Sequence, residues 1–188
     1  EDVLVLGFFD FSSLLINIEN KTIEELRKLT AEIDEIIFPF IQSIYQNNKE
    51  LIVIGGGHNN AYGLIKGISK AKNTPINIIN IDPHSDFRIQ EGRHSGNGFR
   101  YAKEEGFLHN YSILGLHESY SPASVTEELI QDKNIRCFTY EEIKIRNKYT
   151  MHNALDSAIE FINDELCGIE IDLDGIENIP ASAQTPCG

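Results

Sequence analysis

Ile76-Asn77-Ile78-Ile79-Asn80-Ile81-Asp82-Pro83-His84-Ser85-Asp86 is an apolar run that ends in three polar side chains at a spacing of two. In a strand, alternate residues share a face, so Asp82, His84 and Asp86 leave the run toward one side. Hydrophobic packing does not ask for three polar groups at that spacing. A hard divalent cation does, because carboxylate oxygens with one imidazole suit manganese or another oxygen-preferring ion. The arrangement recurs downstream, where Ile169-Glu170-Ile171 delivers Asp172-Leu173-Asp174. Upstream, Leu51-Ile52-Val53-Ile54 ends in Gly55-Gly56-Gly57-His58. Three apolar runs therefore end in candidate metal ligands: His58, Asp82, His84, Asp86, Asp172 and Asp174.

Each piece has a blander reading. A lone Asp-x-Asp after an apolar run is more often a solvated strand end or a magnesium–phosphate site. A lone His after a glycine turn is more often a loop residue, and Asp-x-His-x-Asp alone could be a mononuclear structural site. The combination is what points to a metal site.

Outward from these motifs, strand and helix patterns alternate. Val3 to Gly7, Leu51 to Ile54, Ile76 to Ile81, Tyr111 to Gly115, Ile135 to Phe138 and Gly168 to Ile171 read as strands. Thr22-x-x-Glu25 is a capping box that opens a helix with one apolar stripe, which Pro39 is expected to kink or interrupt. Further helices are expected from Asn60 to Ala71, Ser124 to Gln131 and Met151 to Asn163. A second capping box lies at Thr139-x-x-Glu142. Continuously apolar strands separated by helices imply a parallel sheet with helices on both faces, an α/β fold in a single domain over 1–188. In such sheets ligands bind beyond the carboxyl ends of the strands, where all three motifs fall.

Composition limits the functional classes. The 188 residues fit one domain with a real core, and 41% of them are hydrophobic. No apolar stretch approaches membrane-spanning length, and Glu1-Asp2-Val3 does not open a signal peptide, so no membrane association is expected. A formal net charge of −13 argues against nucleic acid as a partner. Cys137, Cys167 and Cys187 lack the paired spacing of a zinc site. The first two fall in expected strands and fit core packing, and the odd count fits a reducing cytoplasm.

At these motifs the sequence resembles the ureohydrolase family, which contains arginase, agmatinase and formimidoylglutamase. The resemblance rests on Gly55-Gly56-Gly57-His58, Asp82 to Asp86 and Asp172 to Asp174, in the family's order. It implies an arginase-like three-layer α/β/α fold and two Mn2+ ions per subunit. His58 and Asp86 would serve one ion, His84 and Asp174 the other, and Asp82 and Asp172 would bridge them. Such a pair polarises a water into a nucleophile near neutral pH, fit to attack an amidine carbon. Neither Ser85 nor Cys187 offers a rival nucleophile with a paired base. The family's sheet continues beyond Gly188, as does its guanidinium-holding Glu. The chain is therefore expected to be a portion of a longer protein, incomplete at its C-terminus. A homo-oligomer is expected.

The segment from Phe87 to Phe99 directly follows the ligands and reads as a substrate loop. Ser95-Gly96-Asn97 looks like the arginase segment that holds the amino-acid end of the substrate, but Phe99 stands where arginase has a histidine. Ser-Gly-x-x-Phe-Arg, here Ser95 to Arg100, and Asp86-Phe87-Arg88 are closest to formimidoylglutamase. That substrate carries two carboxylates, so Arg88, Arg93 and Arg100 are candidate partners, with Ser95 and Asn97 beside them. Surface pairing with Glu91 or Glu104 is the alternative for any one arginine. Asp86, and His94 as a proton shuttle, are the candidate catalytic residues. The chain departs from the family at Gly57, usually Asp; Asn59, often Ser; Glu170, usually Ser; and Glu177, usually Asp. The expected activity is hydrolysis of a linear amidine, formimidoylglutamate first, with arginine or agmatine as alternatives. A metal-binding domain without turnover and a magnesium phosphohydrolase are the other classes, the last lacking the Lys of a phosphate loop.

Overall fold

The computed structural model describes residues 3–163 and 166–179. Helix α1 spans Ile23–Gln46 and α2 Asn60–Lys72. Strand β1 follows at Ile76–Ile81, then α3 at Gly98–Glu104, β2 at Leu108–Leu116 and α4 at Ala123–Gln131. Strand β3 (Ile135–Thr139), a π turn (Glu141–Ile145), α5 (Met151–Ile162) and β4 (Cys167–Ile171) complete the order. All four strands are parallel in the order β3-β2-β1-β4.

Side-chain alternation explains the layers. Ile76 and Ile78 leave β1 on one side and pack with Ala61, Tyr62 and Ile65 of α2, Phe99 and Ala102 of α3, and Val125 and Leu129 of α4. Ile79 leaves on the other side and packs with Leu114, Phe138, Ile143 of the π turn, and Ala154, Ala158 and Ile162 of α5. Covered on both faces, β1 tolerates an almost unbroken apolar run. The result is a three-layer α/β/α architecture with β1 at its centre.

Several local devices behave as the residues suggest. Thr22 and Glu25 form the capping box: Glu25 N–H donates to Thr22 Oγ1 (3.2 Å), and Thr22 N–H to Glu25 Oε2 (2.7 Å). Thr139 and Glu142 make the same reciprocal pair, which opens a π turn rather than an α-helix. Cys137 and Cys167 are free thiols in β3 and β4. Burial pushes both up, Cys137 to about 12, so they are packing groups. Cys187 lies outside the described residues. No helix among the described residues is long and apolar enough to cross a membrane.

Three expectations need correction. Helix α1 runs through Pro39 without interruption. The proline forfeits one backbone bond, but Ile37 and Ile41 on either side of it are both buried, so packing keeps the helix continuous across it. Val3 to Gly7 and Leu51 to Ile54 form no strand. A strand exists only as part of a ladder, and neither run pairs with a described strand. Their side chains show it: Val3, Val5, Ile52 and Ile54 are among the exposed apolar residues. Among the described residues strand β4 is likewise an edge, paired only to β1, with Ile169 and Ile171 exposed.

Helices α1 and α2 approach closely through glycine. A Cβ on Gly67 would fall 2.7 Å from both Ile41 Cβ and the Phe38 carbonyl oxygen. At Gly63 the nearest atom would be the more yielding Ile37 Cγ2, at 3.2 Å. Gly67→Ala should therefore lower stability by about 1–3 kcal/mol, the range for overpacking, with Gly63→Ala milder. Urea denaturation of the two variants measures this; the opposite ranking would show that the helices separate freely at Gly67.

Candidate metal centre

The parallel ladder between β1 and β4 sets the position of the centre. Ile81 pairs with Ile171, and Asp172 N–H donates to the Ile81 carbonyl (3.0 Å). The next residues along the two strands, Asp82 and Asp172, therefore emerge side by side at the carboxyl edge. On its other flank Asp82 N–H donates to the Leu114 carbonyl of β2 (3.0 Å). Each of these aspartates also braces its own turn. Asp82 Oδ1 accepts from His84 N–H (2.7 Å), and Asp172 Oδ1 accepts from Asp174 N–H (3.3 Å).

His58 reaches the same edge without help from a strand. Gly55 and Gly56 adopt φ +85° and +87°, turning the chain so that His58 sits just ahead of α2. A Cβ on Gly56 would also fall 2.4 Å from Asn60 Nδ2. Asp86 is held at φ 45°, a left-handed conformation that aspartate tolerates better than most residues. Its carboxylate thereby turns back to His58.

The side chains converge. His58 Nδ1 lies 2.8 Å from Asp86 Oδ2, 3.1 Å from Asp172 Oδ2 and 3.4 Å from Asp82 Oδ2. His84 Nδ1 lies 3.2 Å from Asp174 Oδ2 and 3.5 Å from Asp82 Oδ1. Two triads result, His58–Asp82–Asp86 and Asp82–His84–Asp174, whose ligand atoms each fall within 4.8 Å of one another. Asp82 belongs to both and offers a different oxygen to each histidine. Asp172 belongs to neither triad and stands on the His58 side.

Electrostatics show what the donors lack. Burial drives Asp86 above the usual carboxylate range despite His58 beside it. Burial, then the charges of Asp172 and Asp82, pushes Asp174 up to about 6. Burial opposes ionisation of Asp82 too, but its contacts with His58 and His84 hold it down at about 2. Burial disfavours the His58 imidazolium, yet Asp172, Asp82, Asp86 and Glu170 together raise its pKa far above the ordinary value. Carboxylates this crowded call for added positive charge, and a hard divalent cation with oxygen and imidazole donors fits the set.

A cleft of about 1380 Å³ opens over these residues, lined by His58, His84, Asp86, Glu170, Asp172 and Asp174. Arg88, His94 and Ser95 line it as well. Arg88 pairs with Glu91 Oε1 at 2.8 Å, so that one arginine takes the surface alternative in this structure. His94 accepts from Gly96 N–H through Nδ1 (3.1 Å), with Nε2 3.3 Å from Glu91. Burial, then the Arg88 charge, keeps the His94 pKa below its ordinary value.

Three other loop residues do not face the cleft as expected. Arg100 is buried over the Phe87 ring (4.2 Å to the centroid), donates to the Phe87 carbonyl and pairs with Glu128. Asn97 is fully buried: it accepts from His94 N–H (3.0 Å) and Arg93 Nη1 (2.7 Å) and donates to the Gly92 carbonyl (2.8 Å). Arg93 spans Asp34 of α1 (2.8 Å), the Asn59 carbonyl beside His58 (2.8 Å) and the His94 carbonyl (2.9 Å). Each is consumed by holding the loop in shape. Phe99 is buried too, stacked on Tyr111 (4.4 Å) and edge-on to His58 (5.5 Å).

Sequence reasoning missed three supporting groups. Glu170 Oε2 lies 3.1 Å from His58 Nε2, on the side of the ring away from the aspartates. The spacing Glu170-x-Asp172 was its signal, since in a strand continued to Asp172 the two would share a face, although β4 itself ends at Ile171. Asn80 donates to Asp82 Oδ2 (3.0 Å) and to Tyr111 OH (3.1 Å), and obeys the same alternation with Asp82. Tyr120 stacks on His84 (5.3 Å) from the loop after β2, and no local pattern announces it.

Known proteins share this fold over part of their length. A formimidoylglutamase of Streptococcus pyogenes is 28% identical in an alignment 163 residues long that covers 82% of this chain and 47% of that protein. The chain thus spans about half the length of the curated relatives it matches. The crystal structure of formimidoylglutamase from Bacillus subtilis superposes with a TM-score of 0.68 at 21% identity, over 78% of this chain and 46% of that one. Formiminoglutamase of Trypanosoma cruzi, solved with Mn2+, gives 0.64 at 21% identity, over 86% and 55%. At such identities the two structures speak to the fold alone. The family model for the arginase family matches residues 8–185, and the chain belongs to that family.

Proposed function

We propose that this chain carries the binuclear metal site of an amidine hydrolase that cleaves formimidoylglutamate to glutamate and formamide. The observation that supports it best is the Asp82 carboxylate, which presents one oxygen to His58 and the other to His84. His58, Asp86 and Asp172 would hold one ion and His84 and Asp174 the second, with Asp82 between them. Manganese is the favoured metal, as the donors are carboxylates and imidazoles and the Trypanosoma cruzi relative contains Mn2+. When bound, two such ions polarise a shared water and so supply the nucleophile near neutral pH.

The chain's own residues would act around the reacting carbon. Asp86, 2.8 Å from His58 Nδ1, would be the carboxylate that takes up a proton there. His94, which lines the cleft with Nε2 3.3 Å from Glu91, would be the group that exchanges a proton with the departing nitrogen. Arg88 and Ser95 would receive the carboxylate end of the substrate, arginine being suited to bidentate pairing. Formimidoylglutamate is preferred because Asp86-Phe87-Arg88 and Ser95 to Arg100 follow that enzyme's pattern, and because the named relatives are formimidoylglutamases. The same reading includes a cytoplasmic setting, consistent with free Cys137 and Cys167, and a homo-oligomer.

Metal content provides the first check. Asp82→Ala should abolish binding of both ions, whereas His58→Ala should weaken mainly one. Elemental analysis after gel filtration reads this, and an undiminished two-ion content in Asp82→Ala would remove the bridging role. Occupancy should fall as pH falls, because protons compete for the carboxylates and imidazoles.

Substrate choice provides the second. Assayed with manganese against formimidoylglutamate, arginine and agmatine, the full-length protein should favour the first. Arg88→Ala should weaken formimidoylglutamate binding by about 1.5 kcal/mol, the low end for charged hydrogen bonds, since Arg88 already has Glu91. The loss should appear in KM with metal content unchanged, and agmatine, which has no carboxylate, should be unaffected. Best turnover of agmatine, or an Arg88→Ala variant indifferent to formimidoylglutamate, would shift the assignment to a urea-releasing member of the family.

A further inference from the structure

We infer that Glu170 is a positioning residue that makes the two metal positions unequal, tightening the His58 position relative to the His84 position. The inference rests on the binuclear reading above and extends it to a residue where this chain departs from the family.

The two nitrogens of His58 face different neighbours. Nδ1 looks toward Asp82, Asp86 and Asp172, at 2.8–3.4 Å, and Nε2 looks toward Glu170 Oε2 at 3.1 Å. A neutral imidazole carries one N–H. An ionised carboxylate can only accept, so Glu170 keeps that hydrogen on Nε2 and leaves the Nδ1 lone pair for a cation. A carboxylate behind a histidine ligand also fixes the ring and strengthens it as a donor. Glu170 is well placed for this. It lies in β4 opposite Asn80 of β1, so the ladder fixes its backbone. Its side chain is only 15% exposed, which limits screening by solvent.

His84 is backed differently. Its Nδ1 faces Asp174 and Asp82, while its ring face is covered by Tyr120 at 5.3 Å. A stacked ring orients an imidazole but does not accept its N–H. One ligand histidine thus has a charged acceptor behind it and the other an aromatic plate.

The test is calorimetric titration of Mn2+ into metal-free full-length protein, comparing wild type, Glu170→Gln, Glu170→Ser, His58→Ala and the Glu170→Gln/His58→Ala double variant. Wild type should bind in two resolved steps. Glu170→Gln and Glu170→Ser should each weaken the tighter step by about 10- to 100-fold, the range for a lost carboxylate partner, and leave the other in place. In the His58→Ala background Glu170→Gln should change nothing further, a coupling that a merely structural role would not produce. Circular dichroism of the metal-free variants controls for folding, and either Glu170 variant alone suffices if the other misfolds. Equal weakening of both steps, no weakening, an undiminished effect without His58, or a change confined to substrate KM would each overturn the inference. Wild-type protein that takes up no Mn2+ would instead overturn the binuclear reading and this inference with it.

Discussion

The in-register pairing of β1 with β4 is the constraint on which the centre depends. Ile81 and Ile171 are ladder partners, so Asp82 and Asp172 leave the sheet together, one on each strand. A slip of one residue would turn either carboxylate to the opposite face and break the cluster. The register resists such a slip because β1 is buried on both sides, with Ile76 and Ile78 in one layer and Ile79 in the other. Two further backbone bonds close the arrangement: Asp82 N–H to the Leu114 carbonyl, and His117 N–H to the Pro83 carbonyl. Packing far from the site thus decides where its ligands point.

That geometry has an electrostatic cost. Asp82 is fully buried, and a buried carboxylate is unfavourable unless it is bonded and paired. Asn80 and the His84 N–H supply bonds, and the two imidazoles supply contacts. The surrounding carboxylates still repel: burial first, and then the charges of Asp172 and Asp82, displace Asp174 upward. In the proposed reading, cation binding relieves this repulsion and so contributes folding stability through linkage. The polar edge is offset by the apolar layers beneath it.

The parts legible in the sequence were those fixed by short-range pattern. Ile76 to Ile81 announced a central strand because its length and apolar continuity fit double burial. Asp82, His84 and Asp86 do gather at its end, although the strand stops at Ile81 and Asp86 arrives through a left-handed backbone rather than by period two. Val3 to Gly7 and Leu51 to Ile54 carry a comparable pattern yet make no strand, because pairing depends on a neighbour that pattern cannot reveal. Pro39 misled in the opposite direction, as packing of Ile37 and Ile41 overrides one lost hydrogen bond. Arg100 could not be told from Arg88 by spacing. What separates them is Glu128, distant in sequence and adjacent in space. Glu170 was visible as a departure, but its partner ring lies 112 residues away.

The loop after Asp86 shows how burial divides similar residues between scaffold and surface. Arg93 is taken up by Asp34, the Asn59 and His94 carbonyls and Asn97, and so ties α1 to the turn that carries His58. With Asn97 filling the loop's interior, the backbone has little freedom, and the side chains left over, Arg88, His94 and Ser95, project into the cleft. Arg88 and His94 both lean on Glu91, which also pairs with Arg27. In the proposed reading a substrate carboxylate would meet an arginine that already holds a carboxylate. Exchange of one such partner for another yields little net affinity, and a ligand that lacks the charge simply leaves Arg88 with Glu91, so the loop itself tempers how much Arg88 can add to binding.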